Sequence, residues 1–187
     1  MRVSREQMAE NRRRILDAAS RLFREKGFDT VGVAEVMKAA GFTHGGFYGH
    51  FSSKDDLVAE TVAHVLSGGG GDGRGIRGYL DAYLSPAHRD NAADGCPTAG
   101  LASDIRHQSA EAKGAMTSGL RSQIDRISEA LPEVNAADRR RVAIGTWAAM
   151  VGAMILARAT DDPAFSDEIL EQTRAWIEDG IEHASTR

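Results

Sequence analysis

Ile15, Ala18, Ala19, Leu22 and Phe23 recur at the i, i+3, i+4, i+7, i+8 spacing of one helical face. Ser4 followed by Gln7 reads as a capping box, and Lys26 with Gly27 just beyond supplies the basic last turn and glycine stop of a helix terminus. An amphipathic helix ending at Lys26 is predicted. A short second helix fits 33–40 and stops at Gly41, after which Thr43 can cap a third short element reaching about His50. Ser52 and Ser53 offer caps for a fourth helix with apolar positions Leu57, Val58, Thr61, Val62 and Val65. The stretch 67–78 holds seven of the twenty glycines and reads as a linker, because a run such as Gly68-Gly69-Gly70-Gly71 has too much backbone freedom to hold a helix cheaply. Beyond it, helical patterns cover about 76–84, 97–107, 110–131, 135–159 and 166–184, with Pro86, Pro97, Pro132 and Pro163 at the joints. No period-2 apolar run is long enough for a strand. The fold class is therefore all-α, with four segments: 1–52 as an amino-terminal domain of short helices, 53–66 as a connecting helix, 67–78 as the linker, and 79–187 as a second helical domain.

Composition narrows the class. The 187 residues are 42% hydrophobic and 27% charged, ordinary for a soluble domain, and long enough to bury a core without staples. One cysteine cannot form an internal disulfide, which favours a reducing compartment. The charged opening lacks the apolar core of a secretory signal, so a cytoplasmic location is expected. The longest stretch without a formal charge, 142–157, falls short of the roughly 20 residues that span a bilayer, so no membrane partner is expected. The net charge of −4 is unevenly spread: residues 1–54 carry ten Lys/Arg against six Asp/Glu, and the excess of acid lies beyond them. Six of the eleven aromatics also fall between 23 and 51. The basic, aromatic amino-terminal third is a unit with its own partner.

The residues that carry chemistry are Gly27-Phe28, the run 36–51 (VMKAAGFTHGGFYGHF), then Ser53-Lys54 and Leu57. This constellation resembles the DNA-binding domain of the tetracycline-repressor (TetR) family over roughly residues 10–62. The resemblance implies a repressor that dimerises through its last two helices and leaves its operator when a small molecule enters the carboxy-terminal domain, with residues 1–52 as a helix-turn-helix DNA-binding domain and residues 79–187 as a helical ligand-binding and dimerisation domain. It also implies that Lys54 corresponds to a lysine that contacts the DNA backbone. The residues support this on their own. A helix, a tight turn at Gly41 and a second short helix form the layout in which the second helix enters the major groove. Phe42, Phe47 and Phe51 can turn inward as an aromatic core. Thr43, His44, Gly45, Gly46, Tyr48 and His50 are then left as the DNA-binding face, their hydroxyl and imidazole groups suited to phosphate or base-edge contacts. Gly45, Gly46 and Gly49 weaken a helix by about 1 kcal/mol each, which fits a backbone that approaches the groove closely; the alternative is a plain glycine-rich loop. Lys54 sits in the first turn of the fourth helix, where the macrodipole disfavours a cation, so a bound phosphate or pairing with Asp55 or Asp56 is expected. Arg12-Arg13-Arg14 reads as long-range electrostatic support. The sequence departs from the family pattern at Gly32, where Ser or Thr is usual, at Met37, where Ala is usual, and at Gly46, where Thr or Ser is usual.

The stretch 142–157 is apolar nearly all the way round a helix, so one core cannot use every face and a symmetric dimer is the simplest solution. Ile144, Ala148, Val151, Gly152 and Ile155, with Trp176, Ile177 and Gly180 of the last helix, form the expected homodimer interface. Tyr83, Leu101, Ile105, Met116, Leu120, Trp147 and Met150, with Tyr79 as a further choice, are candidates to line an effector pocket, the alternative being plain core. Cys96 before Pro97 stands at a possible helix amino terminus, which would favour a reactive thiolate and a redox or electrophile trigger; the alternative is a buried, inert residue. His88, Cys96 and His107 have spacings that form no compact metal motif, and no cofactor motif is present. The expected partners are double-stranded DNA with a pseudo-palindromic operator, a small-molecule effector and a second copy of the chain. A helical-bundle enzyme or a protein-docking module would share the apolar helices but would leave 43–54 without a role.

Overall fold

The computed structural model describes residues 4–68, 75–131 and 133–186. Along the chain run α1 (Arg5–Lys26), α2 (Val33–Ala39), a 3-10 helix (His44–Gly49), α3 (Lys54–Ser67), α4 (Gly75–Tyr83), α5 (Pro86–Asp90), α6 (Pro97–Leu101), a second 3-10 helix (Ile105–His107), α7 (Ala110–Glu129), α8 (Ala136–Ala159) and α9 (Pro163–Ser185). No strand occurs among the described residues, in agreement with the all-α expectation. The Ser4 hydroxyl accepts from the Gln7 N–H at 3.1 Å, but the Gln7 side chain donates to Asn11 at 2.9 Å instead of closing the capping box. Gly27 then ends α1 with φ +80.

Two features differ from the sequence reading. The glycine-rich stretch is helical at both described edges, α3 running through Ser67 and α4 starting at Gly75; residues 69–74, and the joint at Pro132, lie outside the described residues. The pattern over 97–107 forms two short pieces, and α5 lies where no periodicity marks a helix. It is capped by Ser85, whose hydroxyl accepts from the His88 N–H at 3.2 Å with Pro86 at the first position.

The chain divides into two compact units, Met1–Gly68 with Cys96–Gly119, and Gly69–Gly95 with Leu120–Arg187. This border differs from the expected one at 79, because 96–119 packs with the amino-terminal helices. In the first unit α1 lies against α2 and α3, and Ile15, Phe23, Phe28, Met37, Phe47, Leu57 and Val62 are almost wholly buried. Leu101 and Ala112 are fully buried in the same unit, and α6 packs on α1. Gly119 allows α7 to approach α3 closely: a Cβ there would stand 2.6 Å from the Leu66 side chain.

In the second unit α8 packs along α9. Asn135 caps α8 by accepting from Ala137 and Asp138, and Asp162 caps α9 by accepting from Ala164 and Phe165. The Ser166 hydroxyl donates to the Ala157 carbonyl at 2.7 Å and ties the two helices together. Met150, Met154, Leu170 and Ile177 fill the seam. By length and composition alone, α8 is also apolar enough to cross a membrane. One side of it is core; much of the remainder is apolar and outward. Ile144 is 45% exposed and Leu156 59%, and α9 adds Phe165 and Trp176, the last at 65%. Ala148, Ile155 and Gly180 are exposed as well, while Val151 and Gly152 are half-buried. Ile177 is the exception to the expected interface. At 2% exposure it faces α8, one helical position round from Trp176, and belongs to the seam.

Candidate nucleic-acid interface

A chain that must turn sharply between two short helices needs a residue tolerant of positive φ, and Gly41 supplies it at +82. The N–H groups of Gly41 and Phe42 return to the carbonyls of Lys38 and Met37 at 3.1 and 2.8 Å and close the end of α2. Thr43 then opens the 3-10 helix through its backbone carbonyl, which accepts from Gly46 at 3.0 Å. Its side chain makes no cap bond, contrary to expectation, so the hydroxyl is left outward in an exposed residue. The tighter 3-10 geometry suits a stretch with three glycines in six residues, where little side-chain packing favours a regular α-helix.

The turn rests on aromatic rings. Phe47 and Phe51 are buried and stack at 5.6 Å with an interplanar angle of 26°. The Tyr48 ring stands edge-on to Phe47 at 5.2 Å and is 72% exposed. Phe42 does not complete the core as expected: it is half-buried beneath the Arg14 guanidinium, whose carbon lies 4.9 Å from the ring centroid. Thr43, His44, Gly45, Gly46 and Tyr48 are all exposed, and His50 is half-buried. Burial, with the Arg12 charge second, pushes the His50 imidazole below its usual value of 6.5.

The glycines of the turn fall into two kinds. Gly45 and Gly49 have no positive φ, and a Cβ on either would meet nothing within 4 Å, so nothing in the chain itself requires them. At Gly46 a Cβ would lie 3.6 Å from the Met37 methyl. Two of the three departures from the family pattern, Met37 and Gly46, are therefore neighbours, a large residue below and a small one above.

Next to the turn, Ser53 caps α3 by accepting from the Asp56 N–H at 3.0 Å. The Asp56 carboxylate accepts from the Ser52 N–H and hydroxyl, both at 2.9 Å. These bonds, the backbone one foremost, hold its pKa below the usual 3.8. Lys54, the first residue of α3, is half-buried and forms no ion pair with Asp55 or Asp56 among the described residues. The arginine run is mostly structural. Arg12 pairs with Glu60, Arg13 with Glu10 at 2.8 Å, and Arg14 donates to the Ala40 carbonyl at 2.9 Å. Carboxylates match the Arg12 and Arg13 charges while Arg14 bonds a neutral carbonyl, so the run lends less long-range electrostatic support than expected; periodicity places three charges on a helix but does not reveal the acceptors, Glu60 and the Ala40 carbonyl, that tertiary packing brings to two of them.

The other expected sites are more dispersed. Leu101, Ile105 and Met116 belong to the first unit; Tyr83, Leu120, Trp147 and Met150 belong to the second. All but the half-buried Leu120 are buried. Within the second unit Tyr83 meets Trp147 edge-on at 5.4 Å, and its other neighbours are His88, at 4.6 Å between ring centroids, and Tyr79. The Trp147 Nε1 is buried with no acceptor among the described residues. A cleft of about 280 Å³ in the same unit is lined by Arg89, Arg158, Asp161, Ser166 and their neighbours, and by none of the expected residues. Cys96 is 8% exposed, and its Sγ accepts from the Ala99 N–H at 3.5 Å as the cap of the one-turn helix α6.

Residues 15–61, the span that contains this turn and its supports, match the family described as bacterial regulatory proteins, tetR family. Over this amino-terminal span the chain is similar to the tetR family. Its relatives agree. The HTH-type transcriptional regulator AcrR of Shigella flexneri is 42% identical over 59 residues, which are 32% of this chain and 27% of that protein. The HTH-type transcriptional repressor NemR of Escherichia coli K12 is 28% identical over 134 residues, 65% of this chain and 67% of NemR. The chain thus matches less than a third of the length of AcrR, and the likeness to the tetR family rests on the amino-terminal residues. Beyond that domain the fold is shared: a tetR-family regulator from Agrobacterium tumefaciens superposes with a TM-score of 0.73 at 23% identity, covering 91% of this chain and 97% of that one. The reduced form of Escherichia coli NemR gives 0.69 at 21% identity over 91% and 96%.

Proposed function

We propose that the chain is a transcriptional regulator, a repressor that binds duplex DNA as a homodimer and leaves it when a small molecule binds the carboxy-terminal helices. The observation that carries this reading is the outward turn of residues 43–48 on a buried aromatic platform. Its glycines at 45 and 49 serve no internal packing, and bare backbone there leaves room for close approach to a groove. Thr43, His44 and Tyr48 supply the polar groups for base edges and phosphates; Lys54, at a helix amino terminus without an ion-pair partner among the described residues, supplies a phosphate site. Gly46 and His50 belong to the same surface, Gly46 as close-approach backbone and His50 at its rim.

Salt-dependent binding tests it. Lys54→Ala is expected to weaken binding to every duplex and to make the slope of log affinity against log salt shallower by about 0.9 for each phosphate that a subunit no longer neutralises. Tyr48→Phe is expected to cost less. Unchanged affinity and slope in folded Lys54→Ala protein would remove the phosphate role, and a wild-type protein with no salt-dependent duplex binding would remove the whole reading.

For the effector, the buried Trp147 Nε1 beside the Tyr83 ring supports a ligand that brings a hydrogen-bond acceptor on an apolar frame. Ligand and operator must then weaken each other's binding by the same factor. A second reading, oxidation or alkylation of Cys96, is favoured by the likeness to a repressor solved in a reduced form. The thiol's burial limits access to it. Titration of the operator complex with reversible ligands and with an electrophile, in wild type and Cys96→Ser, is expected to leave release by the reversible ligand intact in the variant. Loss of all induction in Cys96→Ser would transfer the trigger to the thiol.

A further inference from the structure

A guanidinium carries five donors in one plane and can serve several acceptors at once only where the fold brings them together. Arg12 of α1 is such a case. Its Nε donates to Glu60 of α3 at 3.0 Å, one terminal nitrogen donates to the other Glu60 carboxylate oxygen, and the second terminal nitrogen donates to the backbone carbonyl of His50. The plane also lies over the Phe51 ring, 4.3 Å from its centroid. One side chain thus joins α1 and α3 to the carboxy-terminal end of the 3-10 helix, where unpaired carbonyls and the negative end of the helix favour a cation. The charge is matched by Glu60, so it adds little to the field felt by DNA.

We infer that Arg12 and Glu60 are positioning residues for the recognition turn, acting on DNA binding through the His50 carbonyl and the Phe51 ring rather than by contact with phosphate. The inference rests on the DNA-binding reading above and makes a prediction that a field of charges would reverse. Glu60→Gln removes a negative charge from the DNA-binding unit, which by electrostatics alone strengthens binding to any duplex. Loss of positioning weakens specific binding instead.

The test compares wild type, Arg12→Lys and Glu60→Gln on two probes, a duplex enriched from a random pool by the wild-type protein and an unrelated duplex of equal length. Both variants are expected to lose at least about tenfold in affinity for the enriched duplex, the scale of a missing charge-assisted hydrogen bond. Affinity of Arg12→Lys for the unrelated duplex and its salt slope should stay at the wild-type level, because the charge is kept. Tighter or unchanged binding of Glu60→Gln to the enriched duplex would overturn the inference, as would parallel losses on both duplexes. Amide hydrogen exchange supplies a readout that needs no DNA. Exchange at residues 47–51 is expected to quicken in Arg12→Lys while the amides of α2 keep their protection, and unchanged exchange at 47–51 would likewise overturn it. If the wild-type protein selects no duplex at all, the DNA-binding reading fails, and the exchange result still decides whether Arg12 holds the turn.

Discussion

Glutamate at both Ile155 and Trp176 is expected to yield a monomer and to lower operator affinity by about a hundredfold or more, the avidity that disappears when two linked modules bind singly. The reason lies in the face that α8 and α9 turn outward. Ile144, Ile155, Leu156, Phe165 and Trp176 are each at least two-fifths exposed, on two adjacent helices whose opposite sides already form the core. Apolar surface gathered in this way marks an interaction site, and a two-fold copy of the same face is its simplest cover. Each buried carboxylate would cost several kcal/mol without a partner, which exceeds what a few apolar side chains contribute. Sedimentation of the variant at micromolar concentration, with footprinting of the enriched duplex, measures both effects. A variant that still sediments as a dimer and protects two half-sites would show that the subunits meet elsewhere. Ile177→Ala tests the boundary of the face from the other direction: as a seam residue it should lower stability more than it changes association.

Phe47→Ala is expected to destabilise the first unit by about 3–5 kcal/mol, a large part of the roughly 5–15 kcal/mol that holds a typical domain. Phe47 is 1% exposed, stacked on Phe51 and braced by Tyr48. Truncation removes the transfer energy of the ring, the aromatic pairing and the support of the turn together. Urea unfolding followed by far-ultraviolet circular dichroism should show a midpoint shifted well down from wild type. A loss below about 1 kcal/mol would mean that the turn is held by its backbone bonds and by Arg12 without need of the ring.

What can be read in the sequence follows from how local each signal is. Helices α1 and α3 are legible because their caps and apolar stripes lie within the same stretch of chain. Helix α5 carries a serine cap and a proline at its first position, a signal present in the sequence but shorter than a periodicity can register. The 3-10 form of the turn at His44–Gly49 is not legible: glycines silence side-chain periodicity, and the turn is set by Phe47 within it and by Phe51 and Arg12 from outside it. Ile177 is misread as interface because neighbouring positions on one apolar helix serve opposite faces, and only the partner helix decides which is core. Arg12 looks like one of three similar charges, since its acceptors lie 38 and 48 residues further along the chain.

The return of residues 96–119 to the amino-terminal helices has a consequence for how this chain can be taken apart. Its polypeptide crosses the border between the compact units near residues 68, 95 and 119, so the first unit is continuous in space but not in sequence. Leu101, Ala112 and Met116 complete the core that α1 and α3 begin, and Gly100 and Gly119 fit closely against Arg24 and Leu66. A cassette cut at the glycine-rich stretch would carry the recognition turn away from part of its own interior. Recombination among chains of this fold has to respect that interleaving, exchanging α6 and the first half of α7 together with the α1 to α3 helices they pack with.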